Sequence, residues 1–153
     1  MSEWLCYTDG SAKAADGAPG GWGFVVRPPR GPVVEGFGGA YPTLSKVMEY
    51  RAVAEALTVL PERTKAVVFS DNQALVENLS KRLRDWAEHD FRSVDPSIAG
   101  EVRRIHRAIT DGALVVRWQW VRAHQGNVGN ARADELAAEG AREAKASAKG
   151  TRR

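Results

Sequence analysis

A short apolar run at residues 65–70, Lys-Ala-Val-Val-Phe-Ser, constrains the fold of this chain more than any other feature. A run of this length predicts a strand that is buried on both faces of a sheet. Segments with helical periodicity precede and follow it, and a strand between two helices is typical of parallel crossover connections. The chain is therefore expected to be an α/β protein whose sheet is at least partly parallel.

Four other strands are predicted on either side of this run. Three of them precede it and are separated by short turns rich in glycine and proline, which favours an antiparallel meander. Together with the central run, the four strands indicate a five-stranded mixed sheet. They cover residues 4–9, 22–27, 33–38 and 114–121.

Helices are predicted between and after these strands. Apolar side chains at helical spacing predict a helix over residues 45–60, with Ser45 as its N-cap and Pro61 just beyond its end. The order βββ-α-β-αα-β-α predicts helices on both faces of a sheet that combines an antiparallel meander with parallel crossovers. The other predicted helices cover residues 72–88, a segment that ends near Thr110, and residues 130–144.

Length and cysteine content exclude several classes of protein. A chain of 153 residues suits one domain. A single cysteine, Cys6, excludes a disulfide framework and a zinc site built on cysteines. The first residues do not resemble a signal peptide, and no apolar run is long enough to span a membrane. A cytoplasmic location is therefore expected.

Charge is distributed unevenly along the chain. The net charge is +3, but residues 144–153 hold four basic side chains and no acidic one. The remaining residues are close to neutral, so the overall charge is weak support for a nucleic-acid partner. We expect one domain over residues 1–143 and a basic, disordered tail over residues 144–153.

Two acidic residues lie at the carboxyl ends of predicted strands. Asp9 lies at the end of the first strand and is followed by Gly10, and Asp71 follows the run at residues 65–70. If these strands are parallel neighbours, their carboxylates lie side by side, about 5 Å apart. That edge is where open α/β sheets place their sites.

Two further acids lie on helix faces that are otherwise apolar. Glu49 begins the apolar stripe of its helix, and Asp134 precedes a row of alanines at helical spacing. Each acid alone is compatible with a helix cap or a surface charge. All four together favour a metal site, because divalent cations offset the repulsion among converging carboxylates. An all-oxygen ligand set suits Mg²⁺ or Mn²⁺.

Four motifs in order make the chain resemble type 1 ribonuclease H from about Trp4 to Arg142. The family fold has the order of strands and helices predicted above. The resemblance implies a ribonuclease H-like fold and an endonuclease that cuts the RNA strand of RNA–DNA hybrids, leaving 5′-phosphate and 3′-hydroxyl ends. The motifs are Tyr-Thr-Asp-Gly-Ser at 7–11 with Gly-Gly-Trp-Gly at 20–23, Met-Glu at 48–49, Ser-Asp-Asn-Gln at 70–73, and the segment from Trp120 to Asp134.

The resemblance also implies roles for individual residues. Four acids would hold two Mg²⁺ ions about 4 Å apart, one to activate the attacking water and one to stabilise the leaving 3′ oxygen, with Mn²⁺ able to substitute. His124, in a loop with two glycines, would assist proton transfer or product release. The expected partner is an RNA–DNA hybrid, bound by a monomer without membrane association. The acids are Asp9, Glu49, Asp71 and Asp134.

Further residues are expected at the substrate on the same grounds. Selectivity for a hybrid requires contact with the 2′-hydroxyl of the RNA strand. Trp86 would contact a sugar of the DNA strand or close the core behind its helix, and both alternatives stay open. The expected substrate-binding residues are Gly10, Ser11, Ser45, Lys46, Asn72, Gln73, Trp86 and Asn130.

Three features depart from the family pattern. Ser45 and Lys46 stand where many members have two asparagines, and Ala131 stands where an acid often occurs. Residues 85–100 carry a net charge of −3, so a protrusion there could not clamp DNA through positive charge. A non-catalytic hybrid-binding module and another nuclease of the same superfamily are alternatives. The four acids disfavour the first, and the His124 loop disfavours the second.

Overall fold

The computed structural model describes residues 3–12, 17–122 and 127–150. Five strands in these residues form one sheet: β1 (Trp4–Ala12), β2 (Ala18–Arg27), β3 (Val34–Thr43), β4 (Lys65–Ser70) and β5 (Val115–Trp120). The sheet order is β3-β2-β1-β4-β5. The first three strands are antiparallel neighbours, and β4 is parallel to both β1 and β5. The predicted meander and parallel crossovers are confirmed, and residues 66–68 of β4 are buried as expected.

The described helices are α1 (Ser45–Thr58), α2 (Gln73–Lys81), α3 (Leu83–Glu88), α4 (Ala99–Asp111) and α5 (Val128–Gly150). None of these helices is long and apolar enough to cross a membrane. The prediction of a single helix over residues 72–88 is wrong. At Arg82 the backbone φ widens to −117°, and the segment is divided there into α2 and α3. This break lets Leu83 and Trp86 pack against the core.

The sheet is covered by helices on both faces, as predicted. On one face, Phe24 and Val26 of β2 belong to a core shared with α1 to α4. On the other face, Val25 packs with Ala133 and Leu136 of α5. Alternate residues of one strand thus belong to two cores, and α1 and α5 approach the same strands from opposite sides.

Two predicted helix ends differ from the structure. Leu44 rather than Ser45 is the N-cap of α1, because the extended backbone of β3 continues to Leu44, and no side chain caps the helix. α5 continues past Ala144, so residues 144–150 are helical where a disordered tail was expected. Alanine has the highest helix propensity, and Ala144 lies against Gly39 of β3, which explains the longer helix. The domain boundary itself stays a prediction.

Candidate active site

Three carboxylates converge at one edge of the sheet. Oxygen atoms of Asp9, Glu49 and Asp71 all lie within 4.8 Å of one another. β1 and β4 are parallel and pair up to Tyr7 and Phe69, so Asp9 and Asp71 follow in the same register two residues later. The structure therefore brings these acids together as the strand order predicts. This group of three carboxylates is called the acidic centre below.

Glu49 reaches the acidic centre because α1 lies directly on Gly10. A Cβ atom on Gly10 would be 2.3 Å from the backbone nitrogen of Glu49, so only glycine fits where β1 passes under the helix. The amide of Gly10 also donates a hydrogen bond to Oδ1 of Asp9 at 2.9 Å. One glycine thus admits the helix and orients a neighbouring carboxylate.

The turn that carries Asp71 is held by side chains on either side of it. Thr8 of β1 is fully buried and donates its hydroxyl to the carbonyl oxygen of Phe69 at 3.0 Å. The hydroxyl of Ser70 accepts a hydrogen bond from the amide of Asn72 at 3.1 Å. The backbone before and after Asp71 is therefore bonded to residues that lie in the sheet.

Asp134 approaches the acidic centre from the opposite face of the sheet. A Cβ atom on Gly23 would be 2.6 Å from the carbonyl oxygen of Ala133, so the backbone of α5 rests on β2, as its row of small residues predicts. Asp134 comes next in the helix, and its side chain lies close enough to Asp9 to raise the pKa of that carboxyl. Asp134 is exposed and is not one of the three converging acids. The fourth predicted ligand thus lies at the outer edge of the site.

Burial and mutual repulsion make Asp9 and Glu49 hard to ionise. Burial first, then the charge of Asp71 and the contact with Asp134, raise the pKa of Asp9 well above its usual range. Burial first, then the charges of Asp9 and Asp71, raise the pKa of Glu49 in the same direction. The Oε2 atom of Glu49 is buried and has no hydrogen-bond partner among the described residues.

These features fit a divalent cation. A hard cation such as Mg²⁺ prefers oxygen ligands, and the acidic centre offers only carboxylates. Such an ion would supply a partner for Oε2 of Glu49 and would lower the pKa values of the buried acids. Asp9, Glu49 and Asp71 could hold it directly, with Asp134 beside them.

Most of the predicted substrate-binding residues lie close in sequence to the acidic centre. Gly10 lies beneath α1, and the side chain of Asn72 caps α2, so both have roles in the fold. Ser45 and Gln73 are exposed at the first positions of α1 and α2. Ser11 is half-buried near the end of β1.

Lys46, Trp86 and Asn130 differ from one another in exposure and in the residues that they contact. Lys46 is exposed and forms an ion pair with Asp95. Trp86 packs against the core, which favours the role of closing the core over contact with a sugar. Asn130 is buried, and its Oδ1 atom has no hydrogen-bond partner among the described residues. His124 lies outside the described residues, so its role stays a prediction.

Two residues at the end of β5 belong to the site and were not predicted there. Trp120 donates its indole Nε1 to the carbonyl oxygen of Asp71 at 3.2 Å. The guanidinium of Arg122 lies over the same indole, 5.6 Å from the ring centroid. The sequence could have indicated this contact through position alone, because Trp120 is the last residue of β5 and pairs with Ser70, the residue before Asp71.

Comparison with known proteins gives consistent matches over nearly the whole chain. The sequence model of the RNase H family matches residues 1–142. Ribonuclease H of Paracidovorax citrulli (strain AAC00-1) is 34% identical over 144 residues, which cover 92% of this chain and 95% of that protein.

Solved structures share the fold as well. The crystal structure of LC9-RNase H1, described as a type 1 RNase H with the type 2 active-site motif, matches with a TM-score of 0.76 and 25% identity, covering 94% of this chain and 74% of that one. The structure of LC11-RNase H1 in complex with an RNA/DNA hybrid matches with a TM-score of 0.67 and 20% identity, covering 93% and 99%. The second likeness concerns the fold alone.

Proposed function

The chain belongs to the ribonuclease H family, and we propose that it hydrolyses the RNA strand of RNA–DNA hybrids with two divalent metal ions. Membership of this family makes the protein a hydrolase of phosphodiester bonds. The observation that carries the mechanism is the convergence of Asp9, Glu49 and Asp71 within 4.8 Å, with Asp134 near enough to raise the pKa of Asp9. The choice of substrate rests on membership of the ribonuclease H family, and LC11-RNase H1, which shares the fold, has been seen in complex with an RNA/DNA hybrid.

The chain contributes to catalysis mainly through the placement of its acids. When bound, two divalent ions activate water and stabilise charge on the leaving oxygen. Asp9 and Glu49 have raised pKa values in the free protein, so they would release protons as the ions bind. Asp71 is carried by a turn that is bonded to the sheet, so little rearrangement is needed before it can act as a ligand. We favour Mg²⁺, with Mn²⁺ as a substitute.

Selectivity for a hybrid would arise around the same edge of the sheet. Ser45 and Gln73 are exposed near Glu49 and Asp71 in the chain, and each can form a hydrogen bond with a 2′-hydroxyl. His124 would move a proton near the leaving group. A monomer that acts in the cytoplasm is part of this proposal.

A cleavage assay with three substrates tests the proposal. The full chain is incubated with end-labelled RNA–DNA hybrid, RNA duplex and DNA duplex of one sequence, each with and without Mg²⁺. We expect cleavage of the hybrid's RNA strand alone, dependent on Mg²⁺, with 5′-phosphate ends. Binding of the hybrid without cleavage would identify a non-catalytic module, and cleavage of the DNA duplex would identify another type of nuclease. Either outcome contradicts the proposal.

A further inference from the structure

Trp120 contacts the peptide of Asp71 at the point where the sheet ends. Ser70 is the last residue of β4 and pairs with Trp120 of β5. The amide of Val121 donates to the carbonyl oxygen of Ser70 at 2.9 Å. One residue later, the indole Nε1 of Trp120 donates to the carbonyl oxygen of Asp71 at 3.2 Å. A side chain thus continues the hydrogen bonding that the strands provide up to Ser70.

Both polar atoms of the peptide unit between Asp71 and Asn72 are bonded to side chains. Its carbonyl oxygen accepts from Trp120, and its amide donates to the hydroxyl of Ser70 at 3.1 Å. Two bonds on opposite sides of one planar unit fix its orientation. The direction in which the Asp71 side chain leaves the backbone depends on that orientation.

The position of the Trp120 nitrogen is itself set by packing. The ring is half-buried and lies against the core on the α1 face, and an indole has few rotamers and no internal flexibility. Its N–H group is therefore a fixed point on the core side of the turn. A flexible polar side chain at this position would not constrain the peptide in the same way.

We propose that Trp120 is a positioning residue for metal binding, because its N–H holds the peptide after Asp71 and so directs the Asp71 carboxylate toward Asp9 and Glu49. The inference rests on the proposed function, since it takes Asp71 as a metal ligand. Groups that orient the ligands of a metal commonly change its affinity when they are removed. Loss of this N–H weakens metal binding without removing any ligand.

Two replacements at Trp120 remove the N–H donor and retain an aromatic ring. Trp120→Phe keeps an aromatic face for the core and for Arg122, whose guanidinium lies 5.6 Å from the ring centroid. Site-specific incorporation of β-(3-benzothienyl)alanine at position 120 replaces the N–H by sulfur and keeps the shape of the indole. The second variant serves if the phenylalanine variant does not fold.

Trp118→Phe is the matched control. Trp118 lies in the same strand, is half-buried and packs against the same core. It pairs with Val68 in the middle of β4, away from the turn at Asp71. The same change of ring size is therefore made without touching the peptide that Trp120 holds.

Binding of Mg²⁺ to the substrate-free protein is measured by isothermal titration calorimetry, at a temperature where circular dichroism shows each variant to be folded. We expect the Kd to increase about tenfold in both Trp120 variants and to stay near the wild-type value in Trp118→Phe. The Mg²⁺ concentration that gives half-maximal cleavage should rise by the same factor, and kcat should recover at saturating Mg²⁺. A purely structural role would lower the Tm and leave the affinity of the folded protein unchanged.

The outcomes separate this inference from the proposed function. Equal Mg²⁺ affinity in the Trp120 variants, Trp118→Phe and the wild type would overturn it, and so would an equal loss at both positions. A wild-type protein that binds no Mg²⁺ or cleaves no hybrid would contradict the proposed function instead.

Discussion

Two acidic regions of this molecule are built in opposite ways. In the acidic centre, three carboxylates that are buried or half-buried lie within 4.8 Å of one another. On the surface formed by residues 82–98, called the α3–α4 surface below, exposed acids lie against bases instead. Examples are the ion pairs Asp90–Arg103 and Asp95–Lys46.

The two regions differ because the backbone fixes the acids of the acidic centre despite their repulsion, whereas exposed side chains on the α3–α4 surface can move toward opposite charges. Exposed side chains rearrange until opposite charges meet, and such pairs add little to stability. Asp9 cannot rearrange because it lies within β1, three residues before the strand ends where the sequence predicted it at the end. Asp71 directly follows β4, and Glu49 is held because α1 rests on Gly10. The acidic centre therefore retains a repulsion that a proton or a cation relieves. The acids of the α3–α4 surface need neither a proton nor a metal ion, because bases already lie against them.

The largest effect is expected from Asp71→Asn, which alters the acidic centre alone. The amide keeps the shape of the side chain and removes a charge that is needed to hold both ions, so cleavage of the hybrid should be abolished while hybrid binding is retained. Single-turnover cleavage and an equilibrium binding assay measure the two properties. Asp90→Asn makes the same chemical change on the α3–α4 surface and should cleave like the wild type. Cleavage by Asp71→Asn near the wild-type rate would refute the assignment of Asp71 as a ligand.

An intermediate effect is expected on the stability of the metal-free protein. Folding raises the pKa values of Asp9 and Glu49, so above about pH 5 the folded state retains protons that the unfolded state releases. This contribution to stability is complete at low pH and is lost as the pH rises through neutrality. The Tm without metal should fall by about 5 °C or more between about pH 5.5 and 8.5. Added Mg²⁺ should restore it.

Two buried glutamates provide the comparison for this effect. Glu49→Gln should flatten the dependence of Tm on pH, because it removes a group that titrates against its neighbours. Glu101 is buried to a similar degree, at 8% exposed against 9% for Glu49, but it pairs with Arg51 and Arg104. Glu101→Gln should lower the Tm because it breaks buried ion pairs, and the pH dependence that the acidic centre produces should remain. An unchanged slope in Glu49→Gln would show that the acidic centre holds no such repulsion.

The smallest effect is expected on the α3–α4 surface. Asp95→Asn releases Lys46, one turn before Glu49 on α1, and makes its charge available to a phosphate of the substrate. Hybrid binding should tighten by about twofold to fivefold, which is the size of an exposed ion pair, and should become more sensitive to salt. Asp90→Asn removes the same charge but frees Arg103 instead. Identical affinities in the two variants would show that net charge, and not Lys46, is responsible.

The acidic centre could be predicted from the sequence because a periodic backbone places its members. Asp9 and Asp71 follow from the order of the strands, and Glu49 from its position on an apolar stripe. The ion pair between Lys46 and Asp95 could not be predicted in this way. The two residues are 49 positions apart, and they meet only because the loop before α4 folds back on α1.

The errors in the predicted elements also have local causes. Residues 72–88 have a continuous helical pattern, but the packing of Leu83 is better served by a break at Arg82. The alanine-rich end of α5 is compatible with a disordered tail or a helix. The contact of Ala144 with β3 stabilises the helix. The sequence shows that Trp120 lies near the end of a predicted strand, but it does not reveal which atom its N–H contacts.

The contact between α5 and the sheet limits how this protein can vary. A Cβ atom on Gly140 would lie 1.9 Å from the carbonyl oxygen of Gly38, and one on Gly21 would lie 2.0 Å from that of Ala137. Backbone touches backbone there, so no side chain stands between helix and sheet to absorb a change in size. A single added methyl group displaces the helix, and Asp134 moves with it. Because the facing atoms belong to the backbone, no substitution on the opposite surface can make room, and a side chain at either position requires the helix to shift away from the sheet.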